Sequence, residues 1–138
     1  MPALDLYHNN VREALIKDGW DITHDPLHLR WGQKDMYVDL GAKQMIVAAR
    51  DEQKIAVEIK SFINDSEMKD LRDAIGQFVI YRSVLQRTYP DFVLYMAIRD
   101  VVYTSLFEEP IGQLLIEDQN LKIVVFNVEK EVIVKWKL

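Results

Sequence analysis

The segment from Ile55 to Phe62, IAVEIKSF, decides the fold and leads to the candidate chemistry. In an extended strand, side chains alternate between two faces, so Val57 and Ile59 face one layer of the molecule while Glu58 and Lys60 share the opposite face. A carboxylate offers the hard oxygen ligands that Mg²⁺ prefers, and a neighbouring lysine can polarise a water molecule or stabilise charge growing on a phosphate. The segment therefore predicts a metal-assisted site on a rigid strand. A solvated ion pair is the alternative for the same spacing.

A second acid is required beside Glu58, and Asp39 is the candidate, in the strand that enters the same hairpin. The polar turn that we predict is centred on Glu52, which pairs Glu58 near Ile46 and leaves Asp39 well past that point. A β-bulge or kink would bring Asp39 back beside Glu58, and Gly41 is the expected place for it.

The hydrophobic pattern predicts a single α/β (α+β) domain over residues 1–138, with a mixed β-sheet flanked by helices. The expected order is helix, strand meander, long helix, strand, helix and β-hairpin, without an internal repeat or linker. Helices are predicted over Leu4–Asp18, from a Ser66 N-cap to Arg87, and over Ser105–Glu117 with Pro110 at its start or breaking it. Extended segments are predicted over Trp20–His24, Tyr37–Leu40, Gln44–Arg50, Lys54–Phe62, Asp91–Ile98, Leu121–Asn127 and Glu131–Trp136, with a turn at Asp51–Gln53.

Composition excludes several classes of protein. The 138 residues contain no cysteine, which excludes disulfides and thiolate metal sites. A formal charge of −5, from 22 acidic and 17 basic residues, argues against a general nucleic-acid coat protein. The sequence shows neither a membrane span nor a secretory signal, so we expect a cytoplasmic protein. Because it also lacks a dinucleotide fingerprint and a phosphate-binding loop, we expect no organic cofactor.

The arrangement Asp39 … Glu58-x-Lys60 within this order of elements resembles the PD-(D/E)XK nuclease superfamily, although Val38 stands where the motif has proline. The resemblance implies a restriction-endonuclease-like fold. It also implies that Asp39 and Glu58 bind Mg²⁺ or Mn²⁺ and that Lys60 assists the nucleophile or the transition state. Many members place a further acid on the first helix, for which Glu13 is the candidate here. A solvated surface residue is the alternative for Glu13.

The long helix carries a second match. Gln77 and Tyr81 are four residues apart and lie on one helical face. They resemble the Gln-x-x-x-Tyr motif of RecB-like nucleases, in which the two side chains orient the active site and touch the nucleic acid. The alternative is that Tyr81 is half-buried against the sheet and Gln77 occupies a polar edge.

A closer resemblance extends over nearly the whole chain. The segments that carry it are Lys17–Trp20, Ile22–Pro26, Asp39–Ala42, Ile55–Phe62, Gly76–Phe78, Tyr81–Arg82 and the closing hairpin. Together they are similar to the XisH family, the fdxN element excision controlling factors of cyanobacteria. The resemblance implies a small cytoplasmic protein connected with programmed excision of a DNA element, a process in which a separate recombinase cuts and rejoins. A companion protein of the XisI type is the implied partner.

Three functional hypotheses follow, and the sequence leaves open whether the chain is an enzyme. The first is a Mg²⁺-dependent endonuclease acting on DNA, locally or with the help of a partner. The second is a non-catalytic factor that binds a recombinase, a XisI-type protein or DNA, and the third is a toxin or defence nuclease. Double-strand cleavage calls for two active sites, so a homodimer is a further hypothesis. The face of the final hairpin that carries Ile133 between charged residues is expected to be exposed and is one candidate edge for pairing.

Overall fold

The computed structural model describes residues 5–46 and 51–137. In chain order, a first helix precedes five strands, and a long helix then leads to a strand, two shorter helical segments and a closing hairpin. The elements are α1 (His8–Lys17), β1 (Asp21–His24), β2 (Leu27–Trp31), β3 (Lys34–Val38), β4 (Leu40–Ile46), β5 (Asp51–Ile59), α2 (Glu67–Thr88), β6 (Phe92–Arg99), α3 (Asp100–Val102, continued by a π-helical turn, Tyr103–Phe107), α4 (Pro110–Asp118), β7 (Ile123–Asn127) and β8 (Val132–Lys137).

Six strands form one mixed sheet in the order β1-β4-β5-β6-β7-β8, and β2 and β3 form a separate two-stranded sheet. Strand β6 is parallel to both β5 and β7, whereas the outer pairs β1–β4, β4–β5 and β7–β8 are antiparallel. The predicted mixed sheet with flanking helices is confirmed. So is the internal position of the apolar strand 91–98, because a strand covered on both faces reads as a nearly continuous apolar run.

The helices begin and end where local chemistry favours it. Ser66 caps α2, since its hydroxyl accepts the backbone N–H of Lys69 at 3.2 Å, as predicted. Pro110 occupies the first turn of α4, where its missing N–H costs nothing. The predicted start of the first helix at Leu4 lies outside the described residues.

Two apolar cores lie on opposite faces of the sheet. On the first, Val11 and Leu15 of α1 pack against Val57 and Ile59. On the second, Phe78 of α2 packs in a core with side chains from β6, β7 and the π-helical turn. Burying each large apolar side chain contributes roughly 1.5–3 kcal/mol, so both faces of the central strands stabilise the fold.

The sequence prediction missed the β2–β3 hairpin, whose second strand includes part of the segment predicted as a strand over 37–40. Leu27 and Leu29 are buried against α2 while His28 and Arg30 are exposed, an alternation typical of a half-buried strand. The predicted strand over 37–40 is extended at three of its four residues but is not continuous, because a bend at Asp39 separates the end of β3 from the start of β4.

The register of β4 and β5 corrects the predicted hairpin. Leu40 pairs with Val57 and Ile46 pairs with Asp51, so the predicted turn at 51–53 lies inside β5 and is wrong. The strands are joined by residues 47–50, which lie outside the described part. Continuing the register by one step places Asp39 opposite Glu58 without any bulge.

The predicted bulge at Gly41 is therefore also wrong, since Gly41 pairs regularly with Ala56. The irregularity lies on the other side of β4, where the β1 register shifts between Ile22 and His24. A Cβ on Gly41 would meet the His24 ring at 3.0 Å, so glycine is required by the close approach of β1.

A bulge instead changes the final hairpin, where Phe126 pairs with Ile133 but Val125 pairs with Lys135. Because of the extra residue, Ile133 packs half-buried against the α1-side core and Val134 is the exposed side chain. The expectation that Ile133 marks an exposed face is wrong. Among the helices of the described part, none has the length and apolar composition needed to cross a bilayer.

Candidate active site

The carboxyl groups of Asp39 and Glu58 each accept a backbone N–H across the end of the β4–β5 pair. The Asp39 Oδ2 atom accepts the N–H of Ile59 at 2.7 Å, and Glu58 Oε1 accepts the N–H of Asp39 at 3.2 Å. The two carboxyl groups are close enough to interact electrostatically. Asp39 lies at the bend before β4 and Glu58 near the end of β5, so the last step of the strand ladder is made by side chains. The structure thus brings together the two acids that the sequence singled out.

Glu58 is buried, with 6% of its surface exposed. Burial raises the pKa of its carboxyl well above the usual 4.5, and the neighbouring Asp39 charge raises it further, while Lys60 opposes the shift. Two neighbouring negative charges repel each other, so the environment of Glu58 favours its protonated form more than water does.

Lys60 lies at the open side of the acid pair. Its Nζ is 3.4 Å from Glu58 Oε2, and 24% of its side chain is exposed. Its backbone N–H donates to Ala97 O at 3.0 Å, which fixes the end of β5 against β6. The amine therefore stays beside the carboxylates and still reaches solvent, as a group acting on a bound phosphate or water must.

Gln77 and Tyr81 of α2 face the same cluster. Gln77 Nε2 donates to the Tyr81 hydroxyl at 2.8 Å, and Gln77 Oε1 is buried with no partner among the described residues. Burial raises the pKa of the Tyr81 phenol, and the Glu58 and Asp39 charges add to this. The tyrosine is half-buried, and the structure places it within electrostatic reach of both acids.

Asp5 is a third acid near this centre that sequence analysis missed. Burial raises the pKa of its carboxyl, and Asp39 raises it too, whereas Lys60 and His8 lower it. Its Oδ1 accepts the N–H of Tyr7 at 2.9 Å, which fixes the acid just before α1. No periodic signal identifies it, because it lies before the first helical turn and approaches Lys60 only through the tertiary fold.

A cleft of about 230 Å³ opens beside Lys60. Asp70 is held at its rim by Asn64, whose backbone N–H and side-chain amide both donate to the Asp70 carboxylate. A cleft of this volume has room for several water molecules or for one phosphate-sized group. Its lining residues are Asp5, Ile59, Lys60, Ser61, Phe62, Asn64, Asp70, Asp73 and Ala74.

Glu13, the sequence candidate for an additional metal ligand, is not brought to this cluster. It lies on the exposed side of α1 and forms an ion pair with Arg12, 3.9 Å away. The charges that act on Glu58 are those of Asp39 and Lys60. The first turn before α1, through Asp5, supplies the nearby acid instead.

The comparisons with known proteins agree with this architecture. A family model described as XisH protein matches residues 1–134. The chain belongs to the XisH family. An XisH family protein from Nostoc punctiforme PCC 73102 is 36% identical, with a TM-score of 0.88 over 97% of this chain and 100% of that one. An fdxN element excision controlling factor protein from Anabaena variabilis is 38% identical, with a TM-score of 0.86 over 96% of this chain and 98% of that one. No curated protein matches.

The donor set of this XisH chain fits a hard cation in part. Among the described residues, no group of three or more His, Asp or Glu side chains is already gathered as a metal cluster. Asp39 and Glu58 nevertheless place two carboxyl groups close enough to repel each other, and a divalent cation would relieve that repulsion. Because the chain contains no cysteine, no thiolate can bind a cation here.

Proposed function

We propose that this XisH-family chain is a metal-dependent phosphodiesterase that acts on DNA during the control of element excision. The observation that carries the proposal is the contact between Asp39 and buried Glu58, with Lys60 3.4 Å from Glu58. A structural role alone would be served by amides, which hydrogen bond to the backbone without charge repulsion. A buried acid pair beside an amine and an open cleft is typical of sites that handle cations and phosphates.

Asp39 and Glu58 are the residues that would hold Mg²⁺ or Mn²⁺. When bound, such a cation offsets phosphate charge and lowers the pKa of a coordinated water. Lys60 contributes a fixed positive charge at the mouth of the cleft, where it stabilises charge growing on a phosphate oxygen and orients the attacking water. Asp5 and Asp70 leave the cleft acidic overall. A phosphate therefore enters only when cationic charge is present.

The Gln77–Tyr81 pair packs beside the two acids of the proposed site. Its hydrogen bond fixes the phenol beside the acids, and the unpartnered Gln77 Oε1 remains as an acceptor for a water molecule or a substrate hydroxyl. Holding reacting groups in one geometry can contribute several kcal/mol to catalysis, so we assign these two residues a positioning role.

The decisive experiment is a cleavage assay on plasmid and linear DNA with Mg²⁺ or Mn²⁺. We expect Lys60→Ala to lower the rate about 10²-fold or more, as removal of a charge-stabilising group does. Lys69→Ala is the matched control, because Lys69 is an exposed lysine of α2 paired with Asp73. Equal cleavage by the wild-type protein and the Lys60→Ala variant would assign the activity to a contaminant.

A non-catalytic accessory role is the second candidate. The Anabaena variabilis relative is described as an excision controlling factor, which does not require cleavage, and the net charge of −5 limits general affinity for DNA. In this case the fold binds a recombinase, a XisI-type companion or a DNA site. Control of excision that persists in the Lys60→Ala variant would favour this candidate. A homodimer would supply two sites for double-strand cleavage and is testable by sedimentation.

A further inference from the structure

The outer surface of α2 carries an exposed stripe with an arginine toward each end. Arg72, Gly76, Ile80, Ser83 and Arg87 follow helical spacing and are all exposed. Trp31, at the end of β2, lies beside the stripe and is 53% exposed, while Ile80 is 56% exposed. Two large apolar side chains left in water beside each other are typical of an interaction surface.

A groove of about 430 Å³ lies between this stripe and Trp31. Its lining is aliphatic and aromatic apart from one serine and one arginine. The groove falls within the size range of protein sites that bury ligands or side chains. The lining residues are Trp31, Val79, Ile80, Ser83, Val84 and Arg87.

The charge along α2 is divided in two. From Asp65 to Asp73 the chain carries four acids, whereas the whole stretch from Ala74 to Pro90 contains no Asp or Glu and two arginines. Arg87 donates to Ser83 O of its own helix at 3.3 Å, and no ion pair to it occurs among the described residues. Arg72 lies in the acidic half, but its neighbour Asp73 is paired with Lys69 at 3.1 Å. In a protein of charge −5, the acid-free half of α2 is a local positive and apolar surface, complementary to an acidic, apolar partner.

We propose that this α2 groove binds an amphipathic, acidic helix of a partner protein. Aliphatic side chains of the helix fill the groove between Trp31 and Ile80, and its carboxylates pair with Arg72 and Arg87. These arginines are about 22 Å apart along α2 at 1.5 Å per residue, so the partner helix needs about four turns. Gly76 leaves open space above α2, where an added Cβ would meet nothing within 4 Å. The proposal is independent of any nuclease activity.

The groove favours a helix over nucleic acid because its centre is aliphatic. Bases stack on aromatic rings and phosphates pair with cations, but Val79, Ile80 and Val84 offer neither contact. An amphipathic helix places apolar residues at spacings of three and four and matches a groove of this kind.

The test uses designed peptides of about 18 residues, long enough to span the two arginines. The first is a helix with leucines on one face and glutamates near both ends, the second has the same composition in scrambled order, and the third carries lysine in place of glutamate. Binding is followed by calorimetry and by tryptophan fluorescence. Trp20 is buried, so a blue shift that Trp31→Phe removes reports on the groove.

We expect saturable binding of the acidic amphipathic peptide alone. Ile80→Asp should weaken it about tenfold or more, as at a central apolar anchor, and Arg87→Glu should shift preference to the lysine peptide. Leu114→Asp is the matched control, a 53% exposed leucine on α4. Because these positions are exposed, folding should be retained, which circular dichroism checks.

Binding of the scrambled peptide as tightly as the amphipathic one overturns the proposal, as does binding that Ile80→Asp leaves unchanged. So does the absence of peptide binding. In that case, duplex DNA binding that Arg87→Glu abolishes would identify a nucleic-acid surface. A dimer that Ile80→Asp dissociates would identify a second copy of this chain as the occupant.

Discussion

The two faces of β5 differ in polarity, although their side chains alternate along the same few residues. Toward α1, Ile55, Val57 and Ile59 are buried in an apolar core. Toward α2, Ala56 is followed by Glu58 and then Lys60, where a buried acid contacts a second acid. The first face stabilises the fold by removing apolar surface from water, while the second places charge where burial is costly. The comparison teaches that one strand can carry both the fold and an arrangement that costs stability.

Truncation on the apolar face should produce the largest change. Ile55 is fully buried, so Ile55→Ala is expected to lower the free energy of unfolding by about 3 kcal/mol through lost burial and a residual cavity. Urea denaturation measures this, with Ile16→Ala on the exposed side of α1 as the control, expected to change stability by less than about 0.5 kcal/mol. A loss as small as the control's would mean that the α1 face does not support the fold.

Substitution on the charged face should act in the opposite direction. In a metal-free buffer, Glu58→Gln is expected to raise the free energy of unfolding at pH 7 by about 1 kcal/mol, because it removes a costly buried acid. Glu129→Gln, in the exposed turn before β8, is the control. A Glu58→Gln variant less stable than the wild type would show that the acid supports the fold and would remove the contrast between the two faces.

The sign of the pH dependence follows from the raised pKa of Glu58. The folded chain keeps a proton that the unfolded chain releases near 4.5, so the wild type binds more protons when folded. Its stability should therefore fall relative to the Glu58→Gln variant as pH rises from 4.5 through the raised pKa. Denaturation of both proteins across this range measures the difference.

The smallest stability effect is expected for Tyr81→Phe, at about 0.5–1 kcal/mol, because Gln77 loses its acceptor while the ring still packs. In the cleavage assay the same variant should lose about tenfold in rate, the effect of a misplaced site. Tyr89→Phe, also half-buried at the end of α2, is the control. Unchanged cleavage with lowered stability would make the Gln77–Tyr81 pair purely structural.

Much of this architecture was predictable because its signals are local. The alternation in IAVEIKSF indicates which side chains of β5 face each layer. Ser66 indicates the start of α2, because its hydroxyl accepts the backbone N–H three residues further along the chain. The spacing of Gln77 and Tyr81 likewise places them on one helical face, and the structure joins them by a hydrogen bond. In each case the geometry of a single strand or helix is sufficient to predict where the side chains lie.

The errors arose where pairing between elements decides the outcome. The position of the turn fixed the predicted register, so an error of a few residues displaced Asp39 and required a bulge at Gly41 that does not exist. Asp5 approaches Lys60 only because the tertiary fold places both residues on the lining of one cleft at the end of β5. The bulge that turns Ile133 inward has no local sequence signal.

The sequence by itself determined most of the elements, the placement of Glu58 and Lys60 on one side of the chain, and the absence of thiolate ligands, because these depend on backbone period and composition. Only the tertiary structure decided that Asp39 contacts Glu58, that Asp5 rather than Glu13 lies near Lys60, and that Trp31 borders α2. Such contacts join residues distant in sequence, and strand register and the packing of loops against the sheet fix them.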